Sequence, residues 1–274
     1  MYKIIVNIER SETLMTTFFL NIKKYFSYAV TSAKAELKSE IAGSYLNWLW
    51  WIIEPLCFML IYSFIFTVVF ESTEKFFPVF IFIGLTCWEF FNRMMTGSVT
   101  LIVSNRDLIS KVYVPKYILL LAKSFTYLFK FFISLIMTII LMIFFKTPFT
   151  WNIFYILIII PILYLISFGL GCILMHFGVY IEDLKKVTAI FLRLVFYLSG
   201  VFYNINSRLT GILKYLLLRA NPVAFCMNDM RKVMLYGKMP SFEGLFMWFI
   251  VAALICFIGL NIIRKNENNY AKVI

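Results

Sequence analysis

The chain has 274 residues, 62% hydrophobic and 15% charged, a balance that excludes an ordinary soluble domain. Its formal net charge of +12 suits a surface facing anionic lipid, or a transported anion. The basic residues are scattered over many loops, which argues against nucleic acid as a partner.

In chain order, Met1 to Arg10 is short and mixed, without the apolar core and cleavage site of a signal peptide. Insertion is therefore expected through the chain's own spans. Phe18 to Ile41 interleaves Lys23, Lys24, Lys34 and Lys38 with Leu20 and Tyr28. It reads either as an amphipathic helix lying in the membrane interface or as a plain flanking anchor. Six apolar runs follow, several beyond the ~18 residues that mark a transmembrane candidate: Trp48 to Phe70, Phe77 to Val103, Tyr117 to Phe145, Trp151 to Gly178, Val187 to Tyr203 (interrupted by Arg193) and Gly244 to Ile263.

An even number of spans puts both termini on one side. Lys34, Lys38, Arg106, Lys111, Lys116, Lys185, Lys186, Arg264, Lys265 and Lys272 mark that side as cytoplasmic. The opposite loops hold only Lys75 and Lys146, until the loop Asn204 to Glu243. That loop dissents with Arg208, Lys214, Arg219, Arg231, Lys232 and Lys238. The expected fold is an all-α integral membrane protein of six transmembrane helices in one domain. Residues 1–46 form an N-terminal interfacial region, 47–263 the spans and 264–274 a cytoplasmic tail.

Between the second and third runs lies a polar island, Ser104 to Lys116. Leu108, Ile109, Val112 and Tyr113 recur there at helical spacing before Pro115 breaks the pattern. A short amphipathic helix in the cytosol is a handle on which another protein can push. In the last outer loop, Leu209 to Leu218 is apolar but too short to span. Asn221-Pro222 interrupts it, and Val223 to Tyr236 resumes a helical pattern. Such a pair is either a re-entrant hairpin at a pore mouth or an amphipathic cap on the outer surface.

Glu89 and Arg93 share a helix face at i,i+4. A structural ion pair is the preferred reading over a pore lining. Lys123 and Lys130 lie seven apart, with Tyr127 between them on the same face. Lys123 can snorkel. Lys130 is about 10 Å deeper and has no acidic partner within a turn. It is either a lining residue, or it snorkels or is paired to another helix. Glu54 is a further buried-acid candidate, and His176 reads as packing. The five cysteines fall singly and form no C-x-x-C, so neither a metal site nor a disulfide framework is expected. There is no G-x-x-x-x-G-K-[ST], H-E-x-x-H or G-x-S-x-G, so the chain is not expected to be an enzyme or to bind a cofactor itself.

Several motifs in order carry a resemblance. Gly43-Ser44-Tyr45-Leu46, Trp50 and Pro55-Leu56 precede or open the first span. Gly84-Leu85, Trp88, Phe90-Phe91, Asn105, Leu108-Ile109, Lys111 and Pro115 run through the second span and the island. Tyr180 and Asp183-Leu184 follow the fourth span; Asn221-Pro222 and Arg231 precede the last. From about Gly43 to its end the chain resembles the membrane subunit of bacterial ABC exporters for polysaccharides such as O-antigen, capsule and teichoic acid. It departs from that pattern at Glu40-Ile41, where the family often has a basic-aromatic pair, at Asn47 for Gly, and at Glu182 for Arg. Glu54-Pro55 is similar to the capsule branch.

The resemblance implies a non-catalytic permease in the bacterial cytoplasmic membrane. It implies a homodimer with two separate ATPase chains that hold the ATP and Mg, and a polyprenyl-pyrophosphate-linked glycan as substrate. Asn105, Arg106, Asp107, Leu108, Ile109, Lys111, Val112, Tyr113 and Pro115 would form the coupling segment on the ATPase. Lys130, Tyr127, Glu89 and Arg93 would be channel candidates. Lys34 and Lys38 would be candidates for the pyrophosphate, and Asn221, Pro222 and Arg231 would build the outer hairpin. The competing readings are an ABC permease for drugs or small lipids and a membrane-embedded transferase. An ion-coupled transporter finds little support, because no matched broken helices occur in the two halves.

Overall fold

The run from Phe77 is apolar on all sides for its first twelve residues, and a helix of that kind is buried on every face. In a computed structural model of the chain this helix is the column around which the others pack. The structure describes residues 2–43, 45–69, 71, 74–205 and 211–273, apart from the side chains of 2–17, 19, 213–214, 216 and 271–273. Ser44, Phe70, Arg208 and Leu209, with the side chains of Lys214 and Lys272, therefore lie outside the described residues.

The helices are α1 (Tyr2–Ile41), α2 (Trp50–Phe64, continued by a π-helical turn Ile65–Val69), α3 (Phe77–Val99), α4 (Leu101–Ser104), α5 (Arg106–Lys111), α6 (Lys116–Phe144), α7 (Ile156–Tyr180), α8 (Leu184–Leu198), α9 (Gly211–Ala220), α10 (Pro222–Met234) and α11 (Phe242–Val273). No strand occurs among the described residues. Among the described residues four helical segments are long and apolar enough to cross a membrane: Asn47–Val69, Lys116–Phe144, Trp151–Tyr180 and Phe242–Tyr270. The other two expected spans correspond to α3, which carries Glu89, Asn92 and Arg93, and α8. The 15 residues of α8 reach about 22 Å, less than a ~30 Å hydrocarbon core.

Side-chain contacts fix the helix directions. Phe90 meets Phe131 and Trp88 meets Phe196, while Thr96 and Ala189 share a pocket; Arg93 reaches Glu54 near the start of α2, and Phe77 meets Phe66 near its end. Helix α3 is thus antiparallel to α2, α6 and α8. Tyr155 packs on Phe242 and His176 on Tyr270, so α7 and α11 run parallel. At mid-length the two helices approach backbone to backbone. A Cβ on Gly169 would lie 2.6 Å from the Cys256 nitrogen, and one on Gly259 2.6 Å from the Gly169 carbonyl. Small residues at such crossings let helices gain dispersion contact where lipid offers no hydrophobic drive.

Two expectations need correction. The second run is not one helix to Val103: α3 stops at Val99, and Thr100 separates it from the single turn of α4. The island helix does not include Val112 and Tyr113. It ends at Lys111, with Val112 extended at φ −135°, ψ 134°. Pro115 cannot donate to the Lys111 carbonyl and forces the residue before it out of the helical region. Helix α1 packs along α6, with Phe18 on Tyr117 and Phe26 on Phe125.

Gly169→Val should destabilise the α7–α11 pair by about 2 kcal/mol or more through overpacking. A lower thermal midpoint in detergent, with a smaller folded fraction by size exclusion, would register it.

Candidate functional site

Two ends of the bundle carry polar structure. At one end lie α4, α5 and the start of α6. Asn105 Nδ2 donates to the Leu101 carbonyl at 2.7 Å, and the Asn105 carbonyl accepts the Ile109 N–H at 3.0 Å. These bonds close α4 and open α5. Asp107 in the first turn and Lys111 in the last complement the helix dipole. Leu108 and Ile109 are half-buried against the body, whereas Arg106, Asp107, Ser110, Lys111, Val112 and Tyr113 are exposed. The Pro115 carbonyl accepts the Ile118 N–H at 2.9 Å and starts α6. The segment is a small polar knob on a firm base.

Above it, α1 is fastened to α6 by charge. Lys123 Nζ pairs with Glu36 Oε1, and Thr126 Oγ1 donates to Glu36 Oε2 at 3.1 Å. Lys130 Nζ pairs with Glu40 Oε2 at 2.5 Å and lies 5.9 Å from the Trp51 ring centre. Lys123 is therefore paired rather than snorkelling, and Lys130 takes its partner from another helix. Glu36 and Glu40 stand four apart on one face of α1. Lys34 and Lys38 are exposed, away from those pairs.

Between α1, α4 and α6 opens a chamber of about 570 Å³. It is lined by the hydroxyl-bearing Tyr28, Ser32, Ser39, Thr100 and Ser104, with Asn105 and the Glu36–Lys123 pair. Next to it a small cavity of about 50 Å³ brings together four expected candidates, Glu89, Arg93, Tyr127 and Lys130, with Trp51 and Glu54. Arg93 Nε donates to Glu89 Oε2 at 3.1 Å, and its Nη2 lies 3.6 Å from Glu54 Oε2. The Glu89–Arg93 pair thus satisfies itself and also anchors α2.

The opposite end is organised by Asn221, Pro222 and Arg231. Asn221 Oδ1 accepts the N–H groups of Val223 and Ala224 at 3.0 and 3.2 Å, with Pro222 in the first turn. This is a helix cap followed by the proline that fits it. Asn221 Nδ2 donates to Ser199 Oγ at 2.8 Å. Arg231 is buried; its Nε donates to the Phe80 carbonyl at 3.1 Å, and its Nη1 and Nη2 to those of Gly200 and Val201 at 2.7 and 2.8 Å. The guanidinium lies 3.4 Å from the Phe80 ring centre. Gly84 makes room, since a Cβ there would lie 2.5 Å from Nη2. Burial pushes the Arg231 pKa down to about 10, so it stays charged at neutral pH.

Two residues earlier the wholly buried Asp229 accepts the Ser241 N–H at 2.8 Å and pairs with Lys232 at 2.7 Å. It ties α10 to the start of α11. The basic residues that dissented from the charge rule are thus in part internal: Arg231 and Lys232 serve the fold rather than the surface.

Sequence reading missed Glu36, Glu40, Asp229 and Glu267 as partners. The four-residue spacing of Glu36 and Glu40 opposite lysines on another helix was the available signal. No cluster of three or more potential metal ligands occurs among the described residues.

A family model described as ABC-2 type transporter matches residues 29–235. An O-antigen export system permease protein RfbA of Myxococcus xanthus is 27% identical over 92% of this chain and 96% of its own length. One of the same name from Klebsiella pneumoniae is 23% identical over 93% and 97%. A polysialic acid transport protein KpsM of Escherichia coli is 25% identical over 85% and 90%.

Two substitution sets test the site. Arg231→Ala should cost about 3 kcal/mol by stranding buried carbonyls, and Arg231→Lys should recover little because one ammonium cannot serve three fixed acceptors. Thermal unfolding in detergent checks both. For the second set, Glu40→Lys and Lys130→Glu should each destabilise, and the swapped double variant should recover about 1 kcal/mol of coupling, read as a double-mutant cycle in unfolding midpoints.

Proposed function

The chain belongs to the ABC-2 type transporter membrane family, whose members are non-catalytic transmembrane subunits served by a separate ATPase, and from that premise we propose that it is the permease of an ATP-driven polysaccharide exporter. Its substrate on this reading is a glycan linked to a polyprenyl pyrophosphate, moved across the bacterial cytoplasmic membrane. Two copies of the chain form the path and two ATPase chains, holding ATP and Mg, drive it.

The observation that carries the proposal is the exposed polar face of α5, joined to α6 by the short link Val112 to Pro115. A helix of six residues with Leu108 and Ile109 turned inward and Arg106, Asp107 and Lys111 turned outward is suited to a groove in a partner. Nucleotide state can shift it only through contacts that differ between states. On this reading α2, α3, α6, α7, α8 and α11 are the six spans, both termini and α5 are cytoplasmic, and α9 with α10 is a re-entrant hairpin at the outer mouth. The alternation of helix directions agrees with that layout. The uncovered apolar side chains of α2 and α8, such as Leu60, Phe64, Phe191 and Leu194, are surface available to a second copy.

The names of the relatives, O-antigen export and polysialic acid transport, support a polysaccharide over a drug or small lipid. The hydroxyl-lined chamber suits a hydroxylated substrate, and the exposed Lys34 and Lys38 suit an anionic pyrophosphate.

Deletion of the gene should leave lipid-linked glycan accumulating inside the cell. Accumulation of a small lipid or drug instead would overturn the substrate. Lys111→Glu or Ile109→Pro should leave insertion intact, with export falling at least tenfold as α5 loses charge or helix; export assays beside co-purification of the ATPase check this.

A further inference from the structure

The end of α11 was expected to be a plain tail. Its 32 residues reach about 48 Å, well beyond the ~30 Å that a bilayer core requires. The surplus turns lie against the junction of α5 and α6. Glu267 Oε1 accepts the Lys116 N–H at 3.3 Å, and the Tyr113 hydroxyl lies close enough to the same carboxylate to interact with it electrostatically. Lys116 is only 3% exposed; its Nζ donates to the Val114 carbonyl at 3.3 Å and lies 5.7 Å from the Tyr113 ring centre.

Three residues further on the same face, Tyr270 is wholly buried. Its hydroxyl is 2.8 Å from His176 Nδ1, and its ring meets His176 and Tyr180. The end of α11 therefore grips α7 through Tyr270 and the α5–α6 junction through Glu267. The junction itself, Val112 to Pro115, is not helical; the Val112 N–H closes the last turn of α5 on the Leu108 carbonyl and the Pro115 carbonyl accepts the Ile118 N–H, and between those two bonds it is a compliant link.

We propose that Glu267 is a positioning residue for energy coupling, a fastening that ties the α5–α6 junction to the α7–α11 pair. A push on α5 then moves packed helices instead of being absorbed by the connection. This rests on the reading that α5 receives the ATPase, because without a push the fastening has nothing to transmit. Coupling needs such a contiguous element with defined arrangements.

The test compares Glu267→Ala, Glu267→Gln and Tyr113→Phe in the complex of this chain with its ATPase. It reads ATP turnover, glycan export and amide hydrogen exchange across residues 106–118. The expected results for Glu267→Ala are exchange about tenfold faster at Lys116 and Tyr117 and export per ATP reduced about fivefold or more, with ATP turnover within about twofold of wild type. The Gln variant, whose carbonyl still accepts the amide, should restore both. Tyr113→Phe alters an exposed side chain and should fold normally; about twofold faster exchange is expected there, which keeps the test open if the Ala variant fails to accumulate.

Unchanged exchange in Glu267→Ala, or in Tyr113→Phe where the Ala variant does not accumulate, overturns the fastening. Altered exchange with export per ATP unchanged overturns its role in coupling. A Gln variant as impaired as Ala also overturns the fastening as described. Wild-type complex that turns over ATP without moving glycan, while the exchange differences persist, overturns the exporter reading instead.

Discussion

Inside an apolar bundle a charged group has no water to turn to and is costly without a partner in the chain. Arg93 divides itself between Glu89 and Glu54; Lys123 and Lys130 take Glu36 and Glu40; Arg231 takes three carbonyls; Asp229 takes Lys232 and Ser241; His176 takes Tyr270. Most of these pairings join elements distant in the chain. Leucine against leucine is hardly better than leucine against lipid, so apolar contact alone leaves helix register loosely specified. The polar pairings specify it, and the rest of the arrangement depends on them.

The two ends use this constraint differently. At the α9–α10 end the partners are backbone carbonyls and a buried carboxylate, and the result is a rigid corner. Arg231 holds the start of α3 and the turn after α8 together, and Asp229 holds α11 to the same corner. At the α5 end the partners are side chains at helix surfaces, beside a chamber large enough for a ligand and a knob with an exposed polar face. An end held by side-chain pairs beside open volume can change shape more readily than one fastened by three carbonyl bonds. The proposed conduit thus has its working parts at the α5 end and its fixed frame at the other.

Glu40 shows how a departure from a family pattern can be absorbed. It stands where the resemblance leads one to expect a basic residue. In this chain it is the acid that meets Lys130 across the α1–α6 contact. The lysine that lacked a partner within a turn and the acid that broke the motif are two halves of one interaction.

Composition, apolar runs and residue spacing were enough to establish a helical membrane protein, the place of α5, the break at Asn221-Pro222 and the Glu89–Arg93 pair. These depend on local period and spacing, which a sequence displays directly. What only the tertiary structure decided was which helix lies beside which. Nothing in the spacing of Lys123 and Lys130 names α1, nothing in the loop around Arg231 names Phe80 or Gly200, and nothing in a basic tail names the amide of Lys116. Those partners are set by helix adjacency, which follows from packing the whole chain at once, and the end of α5 depended likewise on a donor that Pro115 does not have.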